Sequence, residues 1–147
     1  MKIFVINGPN LDFLGIREPE IYGSETYDDL VAYLSAAAVE LGITLSVFQS
    51  NHEGAMIDEI HRAYYEKADG LILNAGGYTH TSIALMDAVR AVSIPTVEVH
   101  LSNPDTREEF RYNSYIARVA VGRCVGHGFL GYREAMELLL RRAENAK

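Results

Sequence analysis

Apolar residues recur along this chain in two periods. Short runs rich in β-branched residues predict strands at Ile3–Ile6, Thr44–Gln49, Gly70–Asn74 and Thr96–His100. A weaker run over Ile116–Val121, carried by Val119, Ala120 and Val121, predicts a fifth strand at a sheet edge. Between the first two runs, Leu30, Val31, Leu34, Ala38 and Leu41 keep a helical spacing that predicts a helix from Tyr27 to Leu41, stopped by Gly42. The same spacing predicts helices over Glu53–Lys67, through Ile57, Ile60 and Tyr64, over Ser82–Val92 and over Tyr132–Ala143. Strands alternating with helices imply a parallel sheet covered on its faces. The expected fold is α/β, a doubly wound five-stranded parallel sheet in three layers with flavodoxin-like strand order. Periodicity does not itself fix that order. No repeat, low-complexity tract or linker interrupts the pattern, so residues 1–147 are expected to form a single domain.

Composition narrows the functional classes. With 48% hydrophobic and 22% charged residues the chain resembles an ordinary globular protein. Its net charge of −7 disfavours a nucleic-acid backbone or an anionic membrane as partner, because both reward a basic face. If the ligand is an anion, the few cations must be gathered locally. Cys124 is the only cysteine, which excludes an intrachain disulfide and points to a reducing compartment. The opening Met1–Asn7 turns polar too soon for a signal peptide or a membrane span, so a cytoplasmic location is expected.

The chemistry collects at the strand ends. Ligands of open parallel sheets bind beyond the carboxyl ends of the strands. Here those ends run into Asn7-Gly8-Pro9-Asn10, Gln49-Ser50-Asn51-His52-Glu53, Asn74 and Glu98-Val99-His100-Leu101-Ser102-Asn103. Caps and turns account for Ser50, Asn51 and Ser102. They do not account for two histidines and several amides on one edge, which suit a polyhydroxylated ligand. The first connection, from Asn7 to Thr26, is roughly 20 residues long, a length typical of lids and binding loops. It carries Arg17 and Tyr22. A tyrosine ordinarily titrates near about 10, and a nearby cation favours its phenolate, a competent general base. Taken alone, the pair is equally compatible with loop packing and a solvated arginine.

His80 lies on the glycine-rich stretch Asn74–Ser82, which opens a helix where Thr81 or Ser82 could cap, although Gly76-Gly77 could be no more than a tight turn. Strand alternation puts Glu98 and His100 on one side, where a carboxylate can fix the imidazole's tautomer for proton delivery; a purely structural pair is the alternative. His61 reads as structural, His52 as a cap-region or interface group, and His127 has no assigned role. No local spacing of His, Cys, Asp and Glu matches a zinc or calcium site, so no metal is expected. Lys2, Lys67 and Lys147 are the only lysines, none well placed for a Schiff base, so arginines must supply the anion contacts. Arg107 and Arg111 would share a face if helical, with a salt-bridged turn as the alternative.

These segments also carry a resemblance. Asn7–Leu11, Leu14-Gly15 and Arg17-Glu18-Pro19 through Tyr22-Gly23 resemble the signature of type II 3-dehydroquinate dehydratases. So do Gln49–Gly54, Tyr78–Ser82, Val97–Asn103, Arg107–Arg111 and the glycines Gly122, Gly126, Gly128 and Gly131, in order along essentially the whole chain. The resemblance implies one catalytic domain, conversion of 3-dehydroquinate to 3-dehydroshikimate in the shikimate pathway or in quinate breakdown, no cofactor, and a homo-oligomer, a dodecamer built from trimers. It implies Tyr22 as the base forming an enolate, Arg17 as the group keeping that tyrosine reactive, and Asn10 as an enolate stabiliser acting through water. His100 would be the acid, positioned by Glu98. Asn74, His80 and Arg111 would hold substrate hydroxyls, and Leu101 and Ser102 its carboxylate. Asp87 would reach a neighbouring subunit's site. Asp12, Ala75, Tyr112, Asn113, Arg118, Arg123 and His127 depart from the family pattern.

Three other readings fit less well. A flavin-binding redox module needs a small Ser/Thr-rich cradle where Pro9, Leu11, Phe13 and Leu14 stand. A phosphoryl-receiver domain needs acidic residues where Asn7 and Asn74 stand. A catalytically silent scaffold has no need of Arg17, Tyr22, His80 and His100 together.

Overall fold

The computed structural model describes residues 1–147, except that the side chain of Tyr22 lies outside the described residues. Five strands, β1 (Lys2–Asn7), β2 (Thr44–Gln49), β3 (Gly70–Asn74), β4 (Thr96–His100) and β5 (Gly122–Val125), form one sheet in the order β2-β1-β3-β4-β5. Every neighbouring pair is parallel. This is the flavodoxin-like order expected from the alternation, and its direction of winding reverses between β1 and β3.

Alternation along the strands builds two cores. Ile3 and Val5 of β1 and Ile72 of β3 face the layer of α2 (Tyr27–Leu41) and α5 (Leu130–Asn145). Phe4, Ile6, Leu71 and Leu73 face α3 (Glu53–Tyr65) and α4 (Ile83–Val92). Both faces of the central strands are therefore dry, which is why they read as continuous apolar runs. Helix α2 starts at a capping box in which Thr26 accepts from the Asp29 amide and Asp29 accepts from the Thr26 amide, and it stops at Gly42 with φ 69°. Helix α4 is capped by Ser82, which accepts from the Leu85 amide at 2.9 Å. The long first connection is not structureless. It contains a 3-10 turn at Leu11–Phe13 and the short helix α1 (Pro19–Tyr22).

The fifth strand differs from expectation. Ile116–Arg118 forms a 3-10 turn, and the strand is Gly122–Val125. Ile116 and Val119 lie three apart and pack together into the α3–α4 core, a turn spacing that alternation misreads as a strand. The true strand opens on a glycine, a residue of low strand propensity packed close under α5. A Cβ on Gly122 would come within 2.7 Å of the Leu138 side chain of α5.

At the reversal point the loops after β1 and β3 touch back to back. The Gly8 amide donates to the Asn74 carbonyl at 2.8 Å, and a Cβ on Gly8 would meet the Ala75 carbonyl oxygen at 2.6 Å. This contact sets the floor of the site.

Candidate active site

A cavity of about 210 Å³ opens over the carboxyl ends of β1, β3 and β4. The loop after β1 contributes Asn10 and Arg17, and β3 with its following turn contributes Asn74, Gly76, Gly77 and His80. From β4 and beyond come His100, Leu101, Ser102, Arg107 and Arg111. Among the described residues the lining holds three arginines and two histidines but no Asp or Glu, in a protein of net charge −7. The cations are gathered where an anion would sit.

The loop geometry is strained at Asn10 and Glu18, whose φ angles of 71° and 38° are left-handed. Asn10 tolerates this region well, and its amide donates to Asn51 Oδ1 at 3.0 Å, tying the loop to the end of β2. Glu18 lies 3.7 Å from both Arg17 and Arg107, and Glu108 lies 2.6 Å from Arg111. The two carboxylates thus hold the arginines in place from the rim. The segment around Arg107 and Arg111 is a 3-10 turn over Glu109–Arg111 rather than an α-helix, yet both arginines line the pocket.

On β4, Glu98 is fully buried and has three partners. His100 Nε2 lies 2.6 Å from Oε2, Ser114 Oγ donates to Oε2 at 2.8 Å and Arg123 Nε donates to Oε1 at 2.8 Å. Burial pushes this carboxyl up. The hydrogen bonds from His100 and Ser114 and the charges of His100 and Arg123 outweigh burial and hold it below the usual 4.5. Glu98 is therefore a carboxylate, and the facing Nε2 of His100 carries a hydrogen. Nδ1 remains as the nitrogen that can exchange a proton in the pocket. The His80 ring stacks 6.4 Å from that of His100, and its Nδ1 donates to the Asn113 carbonyl at 2.8 Å, leaving Nε2 as an acceptor. Burial, with the charges of His100 and Arg111, holds His80 below its ordinary 6.5 against the opposing pull of Asn113 and Glu98.

These shifts give stability a definite pH dependence. A histidine whose folded value is lowered stabilises the fold above 6.5 and loses that contribution as pH falls through the folded value. A carboxylate with a lowered folded value does the same from 4.5 downward. Denaturant midpoints should fall in two stages on acidification, below 6.5 and again below 4.5. His80→Gln should remove the first stage. A midpoint that rises on acidification through the first window would refute this assignment.

Asn74 is only 3% accessible and is already engaged. Its Nδ2 donates to Tyr132 Oη at 3.0 Å, and its Oδ1 accepts from the Gly76 amide at 3.3 Å. Tyr132 in turn donates to Asn7 Oδ1 at 2.6 Å. Burial drives the Tyr132 hydroxyl far above its ordinary 10, so it stays protonated. This Asn7–Tyr132–Asn74 network fixes the pocket floor, and sequence reasoning missed it because Tyr132 lies 125 and 58 residues along the chain from the two asparagines. Ser114 and Arg123 were also missed as partners of Glu98. The signal for Arg123 is its register opposite Glu98 on the neighbouring strand, which becomes visible only with strand order. Asp87 lies apart from the others on α4, exposed, 4.0 Å from Arg90 and outside this pocket. Among the described residues, no three His, Cys, Asp or Glu side chains group to hold a metal ion.

The fold and the site define a flavodoxin-like α/β protein with a small anion-accepting pocket at the topological switch point and a carboxylate-held histidine in its wall. Comparison with known proteins narrows the class. Residues 1–140 match the family described as dehydroquinase class II. A 3-dehydroquinate dehydratase of Caldicellulosiruptor bescii is 54% identical over 138 residues, covering 94% of this chain and 95% of that protein. The crystal structure of a type II dehydroquinase from Butyrivibrio crossotus superposes with a TM-score of 0.93 at 50% identity, covering 95% of this chain and 97% of that one. The type II dehydroquinase of Propionibacterium acnes gives 0.90 at 40% identity, covering 94% of each chain. This chain belongs to the class II dehydroquinase family.

Proposed function

We propose that this chain is a hydro-lyase that converts 3-dehydroquinate to 3-dehydroshikimate, with Tyr22 as general base and His100 as general acid. The observation that carries the reading is the single cavity that gathers Asn10, Arg17, Asn74, His80, His100, Leu101, Ser102 and Arg111. The family match and relatives named 3-dehydroquinate dehydratases supply the substrate.

The Tyr22 phenolate, kept reactive by Arg17, takes the proton from the carbon beside the ketone, and the electron pair moves onto the carbonyl oxygen as an enolate. Asn10 stabilises that oxygen through an ordered water. The enolate then collapses. Its electrons re-form the carbonyl, the new carbon–carbon double bond develops, and the hydroxyl on the next carbon departs as water after receiving the Nδ1 proton of the His100 imidazolium, which keeps its Nε2 hydrogen on Glu98. Solvent returns that proton to His100 and removes the one on Tyr22, so the balance is loss of one water. Glu98 orients His100. Asn74, His80 and Arg111 hold the substrate hydroxyls, and Leu101 and Ser102 its carboxylate.

Residues 1–147 form the one catalytic domain of a cytoplasmic homo-oligomer, a dodecamer built from trimers, in which Asp87 of one subunit approaches the neighbouring site. One fact favours the approach of Asp87 to a neighbour: its carboxylate is exposed and outside its own pocket. Because the mechanism passes through an enolate and no lysine lines the cavity among the described residues, borohydride added during turnover should leave the enzyme active. Covalent trapping of substrate on Lys2, Lys67 or Lys147 would overturn it.

A further inference from the structure

The proposed mechanism gives Arg123 no role. It sits on the edge strand β5, in register with Glu98 on β4, and its guanidinium Nε donates to Glu98 Oε1 at 2.8 Å. Its side chain is 35% exposed, while that of Glu98 has no exposure at all. Two donors occupy the other carboxylate oxygen: His100 Nε2 at 2.6 Å and Ser114 Oγ at 2.8 Å. The terminal torsion of a glutamate is soft, so donors on one oxygen alone leave the carboxylate plane poorly determined. A cation on the second oxygen determines it.

We propose that Arg123 is a positioning residue that fixes the Glu98 carboxylate and, through it, the orientation and tautomer of His100. The inference rests on His100 being the acid. Arg123 lies outside the cavity lining, so it acts on the chemical step rather than on substrate binding. It also shares the charge of Glu98. Without it, the full negative charge falls on the imidazole, which then holds its proton more tightly and becomes a weaker acid. The other charged or titratable groups that line the cavity with His100, among the described residues, are His80, stacked on it, and Arg17, Arg107 and Arg111, and Arg123→Met changes none of them.

Steady-state kinetics against pH on the full-length enzyme test this, with Arg123→Met, Arg123→Lys and each change repeated in a Glu98→Gln background. Arg123→Met should lower kcat about tenfold, the scale of losing an orienting partner behind a working histidine, and leave KM unchanged. The high-pH limb of kcat should move to higher pH, since removing a cation favours the protonated imidazole. Arg123→Lys should restore the limb and most of kcat. In the Glu98→Gln background the Arg123 change should have no further effect. Parental kcat with an unmoved limb in Arg123→Met would overturn the proposal, as would the same kcat loss in both backgrounds, which would mark a structural role. A parental rate in His100→Ala would remove the acid itself, an outcome distinct from either.

Discussion

Substituting His100 with alanine is expected to lower kcat by about 10²- to 10⁴-fold, the range for losing a positioned general acid. The size of the effect follows from how completely the ring is committed. Glu98 takes Nε2 at 2.6 Å and is itself held by Ser114 and Arg123, so the imidazole is presented in one tautomer with Nδ1 left for the departing hydroxyl. No described neighbour is equipped to replace it. His80 is the nearest candidate, but burial lowers its proton affinity and its Nδ1 hydrogen is given to the Asn113 carbonyl. The fold should survive, since His100 ends β4 and contributes little apolar surface. Rates measured beside a thermal melt separate the two effects. A parental rate from a folded variant would end the acid's role.

Tyr22→Phe is expected to be as damaging, about 10²- to 10⁴-fold in kcat, because it removes one oxygen that does the work of a general base. The tyrosines nearest the pocket floor do not substitute for it. Burial raises Tyr132 far above 10, and burial with the charges of Asp12 and Asp28 raises Tyr27 despite its hydrogen bond with Asn7. Arg17, five residues before Tyr22, lines the cavity, which places a cation on the same loop as the proposed base. Near-normal turnover in the phenylalanine variant would exclude Tyr22 as the base.

What could be read from the chain and what could not have different physical origins. Strands β2, β3 and β4 and helix α2 begin and end where their periodicity predicts, because buried strands and a capped amphipathic helix write their boundaries locally. The edge strand β5 did not, since its Gly122 and Arg123 answer to Leu138 and Glu98 rather than to strand propensity. The Glu98–His100 pair was visible from alternation alone. Its outer partners were not, because Arg123 reaches Glu98 only once β4 and β5 are neighbours, and Ser114 reaches it from the irregular connection between those strands. In the same way, Tyr132 links Asn7 to Asn74 across 125 and 58 residues of chain, a connection no local pattern records. Sequence marks which residues can do chemistry, and topology decides which of them hold the others in place.

The most direct test of the proposed reaction is the ultraviolet absorbance of the purified protein mixed with 3-dehydroquinate in the presence of a chelator. Dehydration conjugates the ketone with a new double bond, so a steadily rising enone absorbance that the chelator does not suppress is the expected result. A flat trace from folded protein would contradict the proposed reaction and leave a scaffold that has kept the family's pocket without its activity.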